Sequence, residues 1–346
     1  MKKVFGIGII IVILGGLFFS WGIFLSVNKK DSKESIFVVE KGQGSKDIAL
    51  NLEKEGLIRW GSLFRVYALV TGTSKKLQAG VYELSTSMNI PQMVEKFATG
   101  DIIKVVLTVP EGFILEQIQE KLSRIFNGTR TVLVPLVEEY KKEFQFLEDA
   151  PANATLEGYL FPDTYQSSYN TSAEEIIRKM LENFDRKLSQ DLRKEISRQK
   201  KTIFEIITMA SMIEKEVKTK EDKELVSGIL WKRLERGIPL QIDATISYIT
   251  GKQTTNPAGP STQCVECSAY GVKISKEETQ IDSPYNTYKY RGLPIGPISN
   301  PGLESILAAI YPKSSQHWYY LSTPEGETIF SRTLEEHNRA KAKYLR

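Results

Sequence analysis

The segment "ASMIEKEV", residues 210–217, holds a glutamate in an unusual position for a charged side chain. Apolar residues recur at three- and four-residue spacing from Ile203 to Val217 without Gly or Pro, which predicts a helix. At about 100° per residue, Glu214 falls within roughly 60° of four apolar positions, whereas Glu216 points the opposite way, to solvent. A carboxylate on an apolar face is either paired with a basic residue, for example from "WKRLERG" (231–237), or protonated and able to donate its proton.

A second group of polar residues follows in "QIDATISYI" (241–249). Read as a strand, this segment places Gln241, Asp243 and Thr245 on one face, because alternate side chains of a strand share a side. Three adjacent polar side chains backed by apolar ones are typical of a lined cleft. The alternative, an edge strand that shows its polar face to water, stays open.

The third group is the loop "DSPYNTYKYRGLPIGPISNPG" (282–302), which holds four prolines and three glycines and so forms neither a helix nor a central strand. A loop of this length is either disordered or functional, and tyrosines and amides favour function. Aromatic rings stack on the apolar faces of sugars, while amides and hydroxyls bond sugar hydroxyls. The loop therefore predicts a sugar-binding surface; the alternative is a purely structural loop. The candidate ligand contacts are Ser283, Tyr285, Asn286 and Tyr288.

The composition excludes several classes of function. The 346 residues include 46 basic and 42 acidic side chains, for a net charge of +4, and the basic residues are spread among acidic ones. Without a basic stripe, we expect no nucleic-acid partner. Only two Cys and two His occur, which argues against a Cys/His zinc site, and we expect neither a metal nor a cofactor.

The pattern of elements predicts an α+β fold in two parts. Residues 36–107 alternate two β-branched strands with helices and form a small α+β module. At residue 108 a new unit of strand, turn and helix begins, and a larger α+β domain extends from there to 346. Amphipathic helices are expected at 172–198 and 203–217, with a third from about Lys223, and the segments 317–323 and 326–332 have the two-residue period of a β-hairpin.

The N-terminal end contains an apolar run, 4–27, without a charged residue. It is long enough to cross a bilayer, and no small-residue cleavage pattern follows it, so an uncleaved transmembrane anchor is favoured over a signal peptide. Residues 1–3 would then be a short cytoplasmic end, and 28–35 a polar linker. Basic residues flank the run on both sides, so their count alone does not set the orientation.

Five segments in this order resemble the endolytic murein transglycosylase family, also called YceG-like. They are "EGYLFPDTY", "ASMIEKE", "RLERGIPLQIDATISY", "SPYNTYKYRGLPIGPISNPG" and "FSRTLEEHN". The likeness covers about residues 36–346. It departs from the family at Ala244, where relatives usually carry proline, and at Thr328, where they tend to carry histidine.

The resemblance implies a single membrane anchor, a LysM-like module at 36–107 and a YceG-like catalytic domain at 108–346 outside the cytoplasmic membrane. It implies cleavage of peptidoglycan glycan strands within the chain, near the synthesis machinery, with peptidoglycan synthases or elongation and division proteins as partners. The catalytic glutamate of the family's E-K-E segment is placed on Glu214. The candidate substrate contacts are Gln241, Asp243, Thr245, Ser283, Tyr285, Asn286 and Tyr288.

A lytic transglycosylase needs one residue as acid and base, because the 6-hydroxyl of the sugar attacks its own anomeric carbon. Glu214 is the expected acid, with its pKa raised by the apolar helix face. Two other functions stay open: a muramidase-type hydrolase that uses Glu214 and Asp243, and a membrane-anchored peptidoglycan-binding scaffold without catalysis.

The two cysteines, Cys264 and Cys267, form a C-x-x-C pair in an extended segment between the predicted strand and the loop. Outside the membrane such a pair is expected to form a disulfide that closes its own loop. Half of a zinc site, or a redox role, remain the alternatives.

Overall fold

The computed structural model describes residues 21–29, 34–125, 136–169, 171–251 and 274–345. The chain divides into two compact units, one within 1–106 together with 166–171, the other within 107–165 together with 172–346. Both units combine helices with two-stranded sheets, so the predicted α+β class is confirmed.

The first unit contains an antiparallel pair of strands, β1 (Glu34–Val39) and β2 (Gly80–Ser85). Among the described residues from 34 to 106, three helices accompany them: α1 (Ser45–Lys54), α2 (Gly61–Val70) and α3 (Ile90–Thr99). Only one face of β1 is buried, as expected when helices cover one side of a sheet.

The core of the first unit is built on aromatic side chains. The ring of Phe97, on α3, lies 4.7 Å from that of Tyr82, 5.8 Å from that of Phe37 and 6.0 Å from that of Phe64. These rings join both strands and two helices, so the packing of Phe97 fixes α3 on the sheet.

The strands β3 (Lys104–Thr108) and β4 (Thr164–Ser168) pair in a second sheet. The second unit contains an antiparallel hairpin of β5 (Tyr319–Ser322) and β6 (Thr328–Ser331). The hairpin predicted from its two-residue period is confirmed. The elements, in chain order, are β3 (Lys104–Thr108), α4 (Leu115–Ile125), α5 (Val137–Tyr140), a 3₁₀ turn (Gln145–Leu147), β4 (Thr164–Ser168), α6 (Ala173–Lys187), α7 (Gln190–Arg198), α8 (Ile203–Glu216), α9 (Lys220–Glu235), α10 (Asp243–Thr250), a second 3₁₀ turn (Glu278–Gln280), α11 (Leu303–Ile310), β5 (Tyr319–Ser322), β6 (Thr328–Ser331) and α12 (Leu334–Tyr344).

Helix α8 lies at the centre of this unit. All residues from Ile206 to Ile213 are buried, and the helix packs against α7, α9, α10 and α11. Thr202 and Glu205 form a capping box at its N-terminus. The helix predicted at 203–217 is confirmed, whereas the one predicted at 172–198 is divided into α6 and α7 at Leu188 and Ser189.

The strand predicted at 241–249 is wrong, because Asp243–Thr250 is helix α10. The hydroxyl of Thr287 accepts the N–H of Ile242 at 2.9 Å, and Gln241 has a positive φ of 56°, so the chain turns into the helix at this point. Gly251, with φ 67°, ends the helix. Alternation over nine residues did not distinguish a short buried helix from a strand.

Among the residues that the structure describes, none of the helices has the length and apolarity needed to span a bilayer. Most of the predicted anchor, 4–27, lies outside the described residues, which begin at Trp21. The predicted linker, 28–35, is also described only in part.

Candidate active site

Glu214 lies in the last turn of α8 and is held by three protein groups. Its Oε1 is 3.3 Å from Nζ of Lys223, and its Oε2 accepts bonds from the Gly302 N–H at 2.9 Å and the Ser305 hydroxyl at 2.7 Å. The side chains of Lys223 and Glu214 are only 3% and 9% exposed. Glu214 therefore joins α8 to α9 and to the first turn of α11, as a buried ion pair does.

This geometry contradicts the environment expected for Glu214 as the acid. The helical spacing placed Glu214 on an apolar face and left open whether it is paired; the structure pairs it with Lys223. Both carboxylate oxygens accept protein hydrogen bonds, and the side chain is only 9% exposed. An acid must reach the substrate atom that it protonates, so this buried pairing disfavours Glu214, whose catalytic role stays a prediction.

Glu216, two residues further on, was expected to point to solvent, and this expectation is wrong. It is half-buried, because β5 and α10 cover the side of α8 that the helical pattern assigned to water. The Tyr320 hydroxyl donates to its Oε2 at 3.1 Å, and the N–H of Ala244, in the first turn of α10, donates to the same carboxylate. The Ser322 hydroxyl donates to the Glu216 carbonyl at 3.1 Å and fixes the helix end.

Burial of the Glu216 carboxyl and the nearby charge of Asp243 raise its pKa to about 7, against the weaker lowering effect of the Tyr320 and Ala244 hydrogen bonds. Asp243 begins α10 and is exposed, and its Oδ1 accepts a hydrogen bond from the hydroxyl of Tyr288. Burial, and next the charge of Asp243, raise the pKa of Tyr288. Glu216, Asp243, Tyr288 and Tyr320 thus form one cluster, with a carboxyl suited to proton transfer at neutral pH.

The structure separates the other predicted contacts. Thr245 is fully buried and donates to the Ile242 carbonyl at 2.7 Å, and Asn286 is 1% exposed, with its side-chain amide bonded to two backbone carbonyls. These two side chains hold the backbone and are not available to line a groove. Gln241 is exposed, and Ser283 and Tyr285 are half-buried.

The loop 282–302 is fixed by hydrogen bonds to the interior. The side-chain oxygen of Asn300 accepts the N–H groups of Gly158 and Leu160, both at 2.9 Å. The side-chain amide of Asn300 donates to the Phe113 carbonyl and to Glu157. An asparagine that makes four buried bonds specifies a single loop position. The loop is thus a framework for the tyrosines that it carries.

Sequence reasoning missed Glu157, Arg233 and Tyr320. Glu157 is buried, and both of its oxygens accept the N–H of Leu115. Burial raises its pKa to about 8. Glu157 and Tyr320 lie within segments that attracted attention for other residues, and no periodicity distinguished them from their neighbours.

Cys264 and Cys267 lie outside the described residues, so their predicted disulfide stays a prediction. Within the described ranges, no group of three or more His, Cys, Asp or Glu side chains has an arrangement that could hold a metal ion.

The chain is similar to known proteins along most of its length. Residues 37–343 match the YceG-like family. An endolytic murein transglycosylase of Bacillus subtilis is 31% identical over 348 residues, which cover 96% of this chain and 91% of that protein. One from Streptococcus pneumoniae is 31% identical over 340 residues, which cover 91% of this chain and 59% of that protein.

A crystal structure of a yceG-like protein from Listeria monocytogenes has the same fold, with a TM-score of 0.55 and 31% identity. The superposition covers 90% of this chain and 100% of the Listeria chain. With a match along most of its length in both sequence and structure, the chain belongs to the YceG-like family.

Proposed function

We propose that this protein is an endolytic peptidoglycan lytic transglycosylase, which cleaves the MurNAc–GlcNAc β-1,4 bond within nascent glycan strands. The products are 1,6-anhydroMurNAc ends, and cleavage terminates glycan elongation. Membership of the YceG-like family and the names of the relatives support this reaction. The observation that carries the proposal is the half-buried carboxyl of Glu216. It lies beside Asp243, and the pKa of Glu216 is raised to about 7.

Glu216 replaces Glu214 in the proposed mechanism. As the bond between C1 of MurNAc and the leaving oxygen breaks, the protonated Glu216 gives its proton to that oxygen. The resulting carboxylate then takes the proton of the MurNAc 6-hydroxyl, while the oxygen of that hydroxyl bonds to C1. Glu216 ends protonated, and no water is consumed.

The neighbours of Glu216 set its pKa and stabilise both of the forms that the reaction needs. The negative charge of Asp243 favours the protonated form, and the hydrogen bonds from Tyr320 and Ala244 stabilise the carboxylate that forms after the first transfer. One group can thus act first as an acid and then as a base near neutral pH. The residues that we propose as glycan contacts are Gln241, Asp243, Ser283, Tyr285 and Tyr288.

A hydrolase is the second candidate, because Asp243 is close enough to Glu216 to raise its pKa. Such an enzyme uses the second carboxylate as nucleophile or base and adds water to the sugar. Mass spectrometry separates the two reactions, since hydrolysis adds one water to each product pair and lytic cleavage adds none.

The cellular setting is proposed from the sequence and the family. The apolar run 4–27 anchors the chain in the cytoplasmic membrane as a single span, with the catalytic domain on the extracytoplasmic side, and residues 36–107 act as a LysM-like module. Peptidoglycan synthases or elongation and division proteins are the proposed partners. Reporter enzymes fused after residue 346 report the side of the membrane; activity of a cytoplasm-only reporter would contradict this topology.

The central experiment compares Glu216→Gln with Glu214→Gln on purified glycan strands. We expect Glu216→Gln to lower the rate of anhydro-end formation by about 10²- to 10⁴-fold, as loss of an acid and base does. Glu214→Gln keeps Glu216 and should retain most of the activity of the folded fraction. Binding without cleavage by the wild-type chain would favour the scaffold, and full activity of Glu216→Gln would reject the assignment.

A further inference from the structure

Arg233, on α9, is a buried cation without an acidic partner. The residue is 6% exposed, and among the described residues no carboxylate lies within ion-pair distance of its guanidinium. Its hydrogen bonds leave from a single nitrogen, Nη2, to the Pro239 carbonyl at 2.6 Å and to the side chain of Gln241 at 2.8 Å, while its buried Nε has no partner in the described part of the chain. Burial of an unpaired charge is costly, so its position calls for a reason beyond packing.

The guanidinium faces the tyrosines of the candidate active site. Its charge interacts with the phenol oxygens of Tyr320, Tyr319 and Tyr288, and its central carbon lies 5.8 Å from the centre of the Tyr319 ring. Two of these phenols donate to the two acidic groups of the site: Tyr320 to Glu216 and Tyr288 to Asp243. One tyrosine hydroxyl therefore lies between the guanidinium and each carboxylate. A nearby positive charge strengthens the hydrogen bond that such a hydroxyl donates.

A third connection runs through the backbone. The two bonds from Nη2 hold Pro239 and Gln241 in the segment that enters α10. Gln241 has a φ of 56°, a conformation that a residue with a side chain adopts only when its surroundings hold it there. The helix that follows supplies Asp243 and the Ala244 N–H that bonds Glu216.

We propose that Arg233 is a positioning residue for the acid site, which orients Tyr320, Tyr288 and the first turn of α10 on Glu216 and Asp243. It acts through these groups and does not contact substrate. The inference rests on the proposed function, because it concerns the same site. The titratable and charged groups that face this network are Glu216, Asp243, Tyr288, Tyr319, Tyr320 and His337.

The first test is kinetic and uses Arg233→Gln, Arg233→Lys and the exposed control Arg236→Gln in the full chain. We expect Arg233→Gln to lower kcat by roughly 10- to 100-fold, with KM within about threefold, as misplacement of reacting groups does. Weaker donation from Tyr320 raises the pKa of Glu216, so the decline of activity at high pH should move to higher pH. Lys restores the charge but not the planar guanidinium that places Nη2, and should recover the pH profile more than kcat.

The second test does not depend on activity. A ¹³C titration of glutamate carboxyls, with Glu216→Gln to assign the signal, gives the proton affinity of Glu216 directly. Arg233→Gln should shift this titration upward in the wild-type background but not in Tyr320→Phe, since the cation acts through that hydroxyl. If Arg233→Gln loses its fold, Arg233→Met, which also removes the charge, gives the comparison in the same two backgrounds.

An unchanged Glu216 titration in folded Arg233→Gln or Arg233→Met overturns the positioning role. So does a loss of kcat in these variants that matches their loss of folded protein and leaves the pH profile unshifted. Absence of cleavage by the wild-type chain overturns the proposed function, and the carboxyl titration still decides the role of Arg233.

Discussion

The hydroxyl of Tyr320 lies 3.1 Å from Oε2 of Glu216 and donates a hydrogen bond to it. This bond joins the C-terminal hairpin to the end of the central helix α8. It stabilises the carboxylate form of Glu216, against the opposing effects of burial and of Asp243. Some contacts of Glu216 thus raise its pKa and others lower it. The Tyr320 and Asp243 contacts can each be removed by one substitution.

Replacement of Tyr320 by Phe removes the donor and leaves the ring. We expect the pKa of Glu216 to rise above about 7, because the hydrogen bond from Tyr320 lowers it. The decline of activity at high pH should move to higher pH in a pH–rate profile on glycan strands. Tyr319→Phe is the matched control, and a shift in that variant as large as in Tyr320→Phe would contradict the role of this hydroxyl.

Replacement of Asp243 by Asn has the opposite expected effect. The charge of Asp243 raises the pKa of Glu216, so its removal should lower that pKa and move the decline of activity to lower pH. Mass analysis of the residual product tests the hydrolase at the same time. If Asp243 is the second carboxylate of a hydrolase, the wild-type product carries added water and Asp243→Asn abolishes it.

The Glu214–Lys223 pair is expected to act on stability. Glu214→Ala leaves a buried, unpaired Lys223 and two unbonded donors, and should lower the free energy of unfolding by about 3–5 kcal/mol. Urea denaturation measures this loss. The double replacement of Glu214 and Lys223 by Leu should cost less than the summed costs of the two single replacements by Leu. A double loss equal to that sum would show that the pair is not coupled.

Glu157 makes stability depend on pH. Burial raises its pKa to about 8, so the folded chain binds a proton that the unfolded chain releases near pH 4.5. Its contribution is present at low pH and is lost as pH rises through about 8, with a slope of up to about 1.4 kcal/mol per pH unit.

Urea denaturation between pH 5 and 9 measures that slope, and Glu157→Gln should flatten it by one proton. Glu195→Gln is the control, because hydrogen bonds from Arg198 and Gln199 lower the pKa of Glu195 to about 2, far below this range. A slope unchanged by Glu157→Gln would show that Glu157 does not titrate there.

Local pattern predicted the elements that are long or strictly periodic. Helix α8 was expected at 203–217 and the hairpin at 317–332, and both are confirmed within a few residues. The strand expected at 241–249 is wrong, because its conformation depends on Thr287, more than forty residues away along the chain, whose hydroxyl and carbonyl receive the N–H groups of Ile242 and Gln241.

The same limit explains the choice of glutamate. Helical spacing correctly placed Glu214 and Glu216 on different sides of α8, but it carried no information on what covers each side. Glu214 meets Lys223 from the next helix, whereas Glu216 meets Tyr320, 104 residues further along the chain. An apolar stripe indicates the side of a helix that faces the core. It does not indicate which other side chains are partly covered by elements that lie far away along the chain.

The separation between Glu216 and Tyr320 has a consequence for truncated forms of the chain. The hydroxyl that stabilises the charged form of Glu216 follows it by 104 residues, on the C-terminal hairpin. A chain that ends before β5 keeps α8 and its glutamate but has no Tyr320 to donate to the carboxyl. The last strands of the sequence thus complete the surroundings of a helix that is made much earlier.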